Sequence, residues 1–329
     1  MKTVIYSTHK FEKEFLITAN AGKHALKLLE VPLNIDTAHL ASGAKAICIF
    51  VNDTCSENVL IKLKNVGVNF ISLRSAGYNN VNLEKASQLK MRIARVPAYS
   101  PYAVAEHTVA LMLVLNRKLI RAHNRINDSN FSLEGLTGFD MNGKTAGIIG
   151  TGTIGAIVAR ILHGFGCKIL AIDKYENEVL KEKYEVNYTD FKTLYAQSDI
   201  LTLHVPLLPS THHLINRNTI SKMKKGVMLI NTSRGALINT KDVIAGLKSA
   251  RIGYLGLDVY EEEAGLFFED HSDDILLDDV IARLMTFRNV LITSHQAFLT
   301  QTALKNIADT TIHNLDCFES GKECQNEIL

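Results

Sequence analysis

The sequence predicts an α/β protein built from two doubly wound, parallel-sheet domains, and three observations predict it. Short β-branched and aliphatic runs alternate with helical stretches along the whole chain. At 329 residues the chain is too long for one small core and suits two domains of ordinary size. Near the middle, over residues 144–175, an apolar run, a glycine-rich turn and a helical pattern follow one another without a break.

The first third supplies four strand-like runs, residues 4–6, 46–51, 70–73 and 92–96, with helical stretches such as 57–63 and 83–89 between them. The alternation predicts a parallel sheet covered by helices. After the third run comes Arg74-Ser75-Ala76-Gly77-Tyr78-Asn79-Asn80, a small polar loop at the carboxyl end of a strand, where open α/β sheets bind ligands. A plain turn is the competing reading of the same residues.

Pro101 follows Tyr99-Ser100 and starts a helix predicted from Tyr102 to about His123. Its first half, A-V-A-E-H-T-V-A-L-M-L-V-L, is apolar on nearly every face, which predicts that a partner subunit covers what one domain cannot. His107, beside Glu106 inside this helix, reads as a satisfied structural histidine with no chemical role. Residues 127–143, rich in Asn, Ser and Gly, read as a linking loop.

Residues 145–149 form the strand of the central stretch, and Gly150-Thr151-Gly152-Thr153-Ile154-Gly155 opens a helix marked by Ile157, Val158, Ile161 and Leu162. In this order Gly150 permits the tight turn, Gly152 lets backbone N–H groups approach a pyrophosphate, and Gly155 allows close helix packing. Gly164 is expected to end the helix as its C′ residue. The next strand, 168–172, ends in Asp173, 18 residues beyond Gly155, where a carboxylate can accept hydrogen bonds from the adenosine ribose. The stretch is therefore a dinucleotide site of Rossmann type, with NAD favoured over NADP.

Beyond it the alternation resumes with strands at 200–205, 227–231, 254–259 and 290–293 and helices such as 190–196 and 241–248. A closing helix over about 301–320 has no further strand to serve in this half, and its return to the first domain is the expectation.

Composition narrows the partners. Lys plus Arg, 36, nearly balance Asp plus Glu, 34, so no strong field invites nucleic acid or an anionic membrane, and a small molecule is the expected partner. The N-terminus becomes charged before a signal-peptide core forms, and the longest apolar run, 109–115, is too short to span a bilayer, so a soluble protein is expected. Five cysteines, odd in number and never in C-x-x-C spacing, predict neither a disulfide framework nor a metal site and suit a reduced, cytoplasmic setting.

Three residues attract attention for chemistry. Arg234, in N-T-S-R-G, directly follows a strand, where a planar guanidinium can take a carboxylate in bidentate fashion; a surface turn arginine is the alternative. His295, in T-S-H-Q-A-F-L, lies just past the last strand and could move the proton that accompanies hydride transfer, though it is one of 12 histidines. Glu263 lies among nine carboxylates over residues 261–279, and composition alone does not single it out.

Taken together, R-V-P-A-Y-S-P-Y-A-V-A-E-H, G-T-G-T-I-G, N-T-S-R-G-A-L-I, G-L-D-V-Y-E-E-E and H-Q-A-F-L-T resemble the D-isomer-specific 2-hydroxyacid dehydrogenases, in matching order over nearly the whole chain. The resemblance implies an NAD-dependent oxidoreductase, closest to the fermentative bacterial members that interconvert pyruvate and D-lactate. It makes Arg234 the ligand of the substrate carboxylate, His295 the acid/base and Glu263 the partner of His295. It places backbone N–H groups of Ala76 and Gly77 on the carboxylate, Tyr99 and Phe298 around the substrate, and Val205, Pro206, Thr232 and Asp258 beside the cofactor with the glycine turn. It further implies a discontinuous substrate domain, 1–99 with 299–329, hinged to an NAD-binding domain, 100–298. Both would be Rossmann-like or flavodoxin-like, with a cleft between them that closes over the reactants.

A homodimer core, with a homotetramer as the next assembly, is also implied. One position departs from the commoner pattern: Lys174 stands where many relatives carry an uncharged residue, and a lysine there could tolerate a 2′-phosphate. The competing functions are the same chemistry on a bulkier 2-oxo acid and, in another class, a nucleotide-sensing corepressor on the same fold.

Overall fold

Parallel strands and covering helices alternate through residues 1–329, all of which the computed structural model describes. The chain begins β1 (Lys2–Ile5), α1 (Lys10–Asn20), β2 (Ala25–Leu28), β3 (Ala46–Ile49), α2 (Glu57–Asn65), β4 (Phe70–Leu73), α3 (Leu83–Gln88), β5 (Arg92–Ala94). These strands form one sheet in the order β2-β1-β3-β4-β5 with every pairing parallel. β3 is buried at all four positions, as a strand covered on both faces must be. Helix α1 and strand β2 lie outside the predicted elements. The reason is visible in α1: two of its three buried residues, Glu12 and Asn20, are polar and hide the helical period.

The chain continues α4 (Pro101–Arg117), α5 (Leu119–Asn127), β6 (Thr145–Ile149), α6 (Thr153–Gly164), β7 (Lys168–Ile172), α7 (Glu178–Tyr184), β8 (Asn187–Tyr188), α8 (Phe191–Gln197) and β9 (Ile200–Leu203). It then runs through α9 (Arg217–Lys222), β10 (Val227–Asn231), α10 (Thr240–Lys248), β11 (Ile252–Leu257), α11 (Asp279–Met285) and β12 (Val290–Ile292). The second sheet is also parallel, in the order β12-β11-β10-β9-β6-β7-β8, so the sequence direction reverses between β6 and β9. At that switch point open α/β sheets bind nucleotides.

Four expectations are corrected here. The long helix predicted from Tyr102 to about His123 is two helices, because Lys118 adopts a left-handed backbone (φ 52°) that ends α4. Its apolar faces do not require a second subunit. Ala105, Val109, Leu111, Met112 and Leu115 pack with Ile148, Val158, Leu162 and Ile230, and at Gly256 in β11 a Cβ would lie 2.7 Å from Ile230 Cδ1 and 3.1 Å from Leu115 Cδ1. The exposed apolar residues lie further on, at Leu119, Ile120, Ile126, Phe131 and Leu133. Gly164 belongs to α6, and Gly166 (φ 74°) is the left-handed residue beyond its end. The strand predicted at 254–259 is β11, two residues earlier at each end.

The last element, α12 (Gln301–Ser320), starts at a Thr300 cap and ends at left-handed Gly321 (φ 66°). It packs on α1 and β4, with Ala308, Ile312, Leu315 and Phe318 against Ile5, Leu16, Ala46 and Cys48. By contacts the chain divides into one unit of residues 1–100 with 298–329 and a second of residues 101–297.

Candidate active site

The second unit holds a cradle for a dinucleotide at the switch point. Gly150 (φ 94°) donates its N–H to Ile172 at 2.8 Å, and a Cβ there would lie 2.5 Å from the His204 carbonyl oxygen. A Cβ on Gly155 would stand 1.9 Å from the Gly150 carbonyl oxygen, so only glycine lets α6 begin this close to the turn. Nothing lies within 4 Å of the Cβ direction at Gly152, the N-cap of α6, which leaves the positive end of the helix open to a diphosphate. Thr153 and Ile154 form its first turn.

Asp173 stands at the end of β7. Its Oδ2 accepts from the Thr151 N–H at 2.5 Å and its Oδ1 from the Tyr175 N–H at 3.1 Å. Burial works to raise this carboxyl, but these N–H donors win and hold it below the usual range, so it is a fixed negative charge. Lys174 turns its ammonium over the Tyr175 ring, 5.3 Å from the centroid. Behind the turn, burial pushes the His204 imidazole down to about 3, and its Nε2 lies 2.9 Å from Thr202 Oγ1. The loop after β9 is tied to the loop after β10, since Ser233 Oγ donates to the Val205 carbonyl at 2.7 Å; Pro206 follows, its carbonyl accepting from Thr211 Oγ1 at 2.7 Å.

Arg234 follows β10 by three residues. Asn231 Nδ2 donates to its carbonyl at 2.8 Å, and its own Nη1 donates to Ser233 O at 2.6 Å. The next residue, Gly235, lies flat on the Tyr260–Glu261 peptide, where a Cβ would come within 2.1 Å of the Tyr260 carbonyl. The loop carrying Arg234 is thus packed on the loop that carries Glu263.

His295 lies just beyond β12 in a left-handed backbone (φ 53°), a conformation that costs a non-glycine residue about 1 kcal/mol or more. Asp258, fully buried after β11, holds it there. The Asp258 carbonyl accepts from the His295 N–H at 2.7 Å, and its carboxylate takes the N–H groups of Gln296 and Ala297, each at 2.9 Å. The imidazole Nδ1 meets Glu263 Oε1 at 2.9 Å, and the Phe268 ring stands 5.8 Å from it. Glu263 Oε2 accepts from the Tyr260 N–H at 3.2 Å, which anchors the carboxylate in turn. Of the nine carboxylates, Glu263 is the one that meets His295; Glu261 is turned instead to His213 and Thr240.

In the first unit, the Ala76–Gly77 loop is held by its carbonyls, that of Ala76 by Arg95 Nη1 at 2.8 Å and that of Gly77 by Ser75 Oγ at 2.7 Å. Beneath it the buried Arg74 pairs with Glu12 at 3.0 Å and donates to the carbonyls of Tyr6 and Ser7. Phe298 packs edge-on with Tyr99 at 6.3 Å and also meets Phe11 and Phe50 at 6.2 and 6.1 Å. The motifs name two of these four rings and give Arg74 only as the start of a loop; its buried anchoring role, Phe268 and the clamp role of Asp258 are not legible in them, because their partners are all distant in the chain. No helix is long and apolar enough to cross a membrane.

A Gly-rich turn opening α6 at a topological switch point, an acid at the end of the next strand, and a histidine–carboxylate pair on the strand ends define an NAD-dependent dehydrogenase site. The model of the D-isomer specific 2-hydroxyacid dehydrogenase NAD binding domain matches residues 109–297, and the chain belongs to that family. It is 50% identical to D-lactate dehydrogenase of Escherichia coli K12 over 330 residues, covering both proteins in full. Among solved structures, it is similar to the apo-structure of the Escherichia coli enzyme, with TM-score 0.90 and 48% identity over the whole of both chains. It is also similar to the pyruvate reductase of Chlamydomonas reinhardtii, with TM-score 0.93 and 44% identity over 99% of this chain and 98% of that one. The protein is an NAD-dependent oxidoreductase.

Proposed function

We propose that the protein reduces pyruvate to D-lactate with NADH, reversibly, with His295 as acid/base. The observation that carries this reading is the His295–Glu263 pair, 2.9 Å apart on strand-end loops of the NAD-binding unit. When bound, NADH supplies the hydride to C2 of the 2-oxo acid. Glu263 occupies Nδ1, so Nε2 is the nitrogen left to meet the substrate oxygen. It gives its proton to that oxygen in reduction and takes one back in oxidation of the hydroxy acid.

Arg234, whose Nη1 is braced by the Ser233 carbonyl, is assigned to the substrate carboxylate and to polarising the C2 carbonyl. The Ala76 and Gly77 N–H groups are assigned to the same carboxylate, and the Tyr99 and Phe298 rings to the methyl end. A panel of 2-oxo acids with NADH, followed by chiral analysis, tests the reading: pyruvate is the best substrate and the product is the D isomer. Turnover on no acid would favour a nucleotide-sensing role instead. We also propose a homodimer that pairs through the exposed apolar residues between Leu119 and Leu133, with a homotetramer as its further assembly. A monomer by light scattering at micromolar concentration would refute it.

A further inference from the structure

Helix α4 carries two adjacent polar residues, His107 and Thr108, into an otherwise apolar contact with the sheet. They point at different strands, since neighbours on a helix project about 100° apart. His107 Nε2 lies 3.1 Å from Thr293 Oγ1, just past β12, and 3.4 Å from Asp258 Oδ1. Thr108 Oγ1 lies 2.8 Å from Thr232 Oγ1, just past β10. The two threonines stand in equivalent places: Thr293 is two residues before His295, and Thr232 is two residues before Arg234.

The donors can be assigned. Thr293 gives its hydroxyl proton to Asp258 Oδ1 at 2.6 Å, so it accepts from His107 Nε2–H. Thr108 gives its own to the Val104 carbonyl at 2.8 Å, so it accepts from Thr232. Thr108, Thr232 and Asp258 are buried, which makes these bonds expensive to leave unmade. β10 and β12 flank β11 and so stand about 10 Å apart, and α4 lies across β11 at Gly256. One helix therefore reaches both strand ends and fixes their separation.

With His295 as acid/base and Arg234 as carboxylate ligand, as proposed above, we infer that His107 and Thr108 are positioning residues. They set the spacing of the proton donor and the carboxylate ligand, His107 acting through Thr293 and Asp258, and Thr108 through Thr232. This gives His107 a function where the sequence suggests only a structural one. The chemistry explains the residue choice, because an Asp258 carboxylate that already clamps the Gln296 and Ala297 N–H groups takes a further donor from Thr293, whose hydroxyl is in turn oriented by His107.

The test compares His107→Leu, Thr293→Val and Thr108→Val with the conservative His107→Gln, Thr293→Ser and Thr108→Ser, each in the full-length protein. A misplacement near 1 Å costs up to about 100-fold. His107→Leu and Thr293→Val are therefore expected to lower kcat for pyruvate reduction by about 10- to 100-fold and to raise the solvent deuterium isotope effect. NADH affinity, read by fluorescence, should stay within about twofold. Thr108→Val is expected to act mainly on the KM for pyruvate, by about tenfold, because it loosens Arg234. The conservative variants should keep activity within about threefold. Wild-type kinetics in His107→Leu and Thr293→Val would overturn the inference, as would loss of NADH binding in step with kcat. Failure of the underlying reading looks different: wild-type protein that does not reduce pyruvate, or His295→Gln that still does at full rate.

Discussion

Acid should unfold this protein partly through His204. Burial behind the glycine turn lowers its imidazole to about 3, against about 6.5 in an unfolded chain. The folded state therefore keeps this histidine neutral while the unfolded state binds a proton below pH 6.5. Stability falls as the pH drops from 6.5 toward 3 and levels off beneath it. At pH 5 the unfolded chain gains about 1.5 units of proton-binding advantage, worth about 2 kcal/mol at 1.36 kcal/mol per unit; at pH 7 the contribution is near zero. Because the residue retains some surface, about 2 kcal/mol is an upper value. His204→Gln removes the titration and keeps an amide to meet Thr202. Urea unfolding of both proteins at pH 7 and pH 5 isolates the term as a double difference. Wild type should lose up to about 2 kcal/mol more than the variant between the two pH values, and a double difference below about 0.5 kcal/mol would refute the reasoning.

Other perturbations follow from the cradle and the strand-end loops. NADH should be preferred over NADPH because the fixed charge of Asp173 repels a 2′-phosphate; equal catalytic efficiency with both would mean that Lys174 overrides it. Arg234→Lys keeps the charge but loses the planar fork, so turnover and pyruvate binding should both weaken well beyond any change in NADH affinity, as steady-state kinetics would reveal. Glu263→Gln keeps an oxygen for His295 Nδ1 but removes the charge, and kcat should fall about tenfold or more at constant NADH affinity; an unchanged kcat would remove Glu263 from the mechanism. Phe298→Ala opens space beside Tyr99, Phe11 and Phe50, so the ratio of activity on 2-oxo-4-methylpentanoate to that on pyruvate should rise by about tenfold, within the 1–3 kcal/mol per group of hydrophobic discrimination. A wild type that already prefers the branched acid would replace pyruvate as the proposed substrate.

The dinucleotide site was legible in sequence because its parts are local. Strand, glycine turn, helix and Asp173 fall within residues 145–173, and each glycine answers a steric demand made by the backbone beside it. The alternating parallel architecture was legible for the same reason: buried strands read as short aliphatic runs. Arg234 and His295 were legible as candidates because each follows a strand, and the motifs they sit in resemble a family.

What only the tertiary structure decided is which polar residues meet. Glu263 is the carboxylate of the nine that meets His295, at 2.9 Å across 32 residues, whereas Glu261 pairs instead with His213. His107 differs from an ordinary buried histidine by a contact with Thr293 across 186 residues. The apolar helix that suggested a subunit interface is covered by its own sheet, because Gly256 lets α4 come close. Periodicity reports that a face is buried, but not by what. A side chain's partner is set by how strands are ordered in the sheet, and that order is a property of the folded chain.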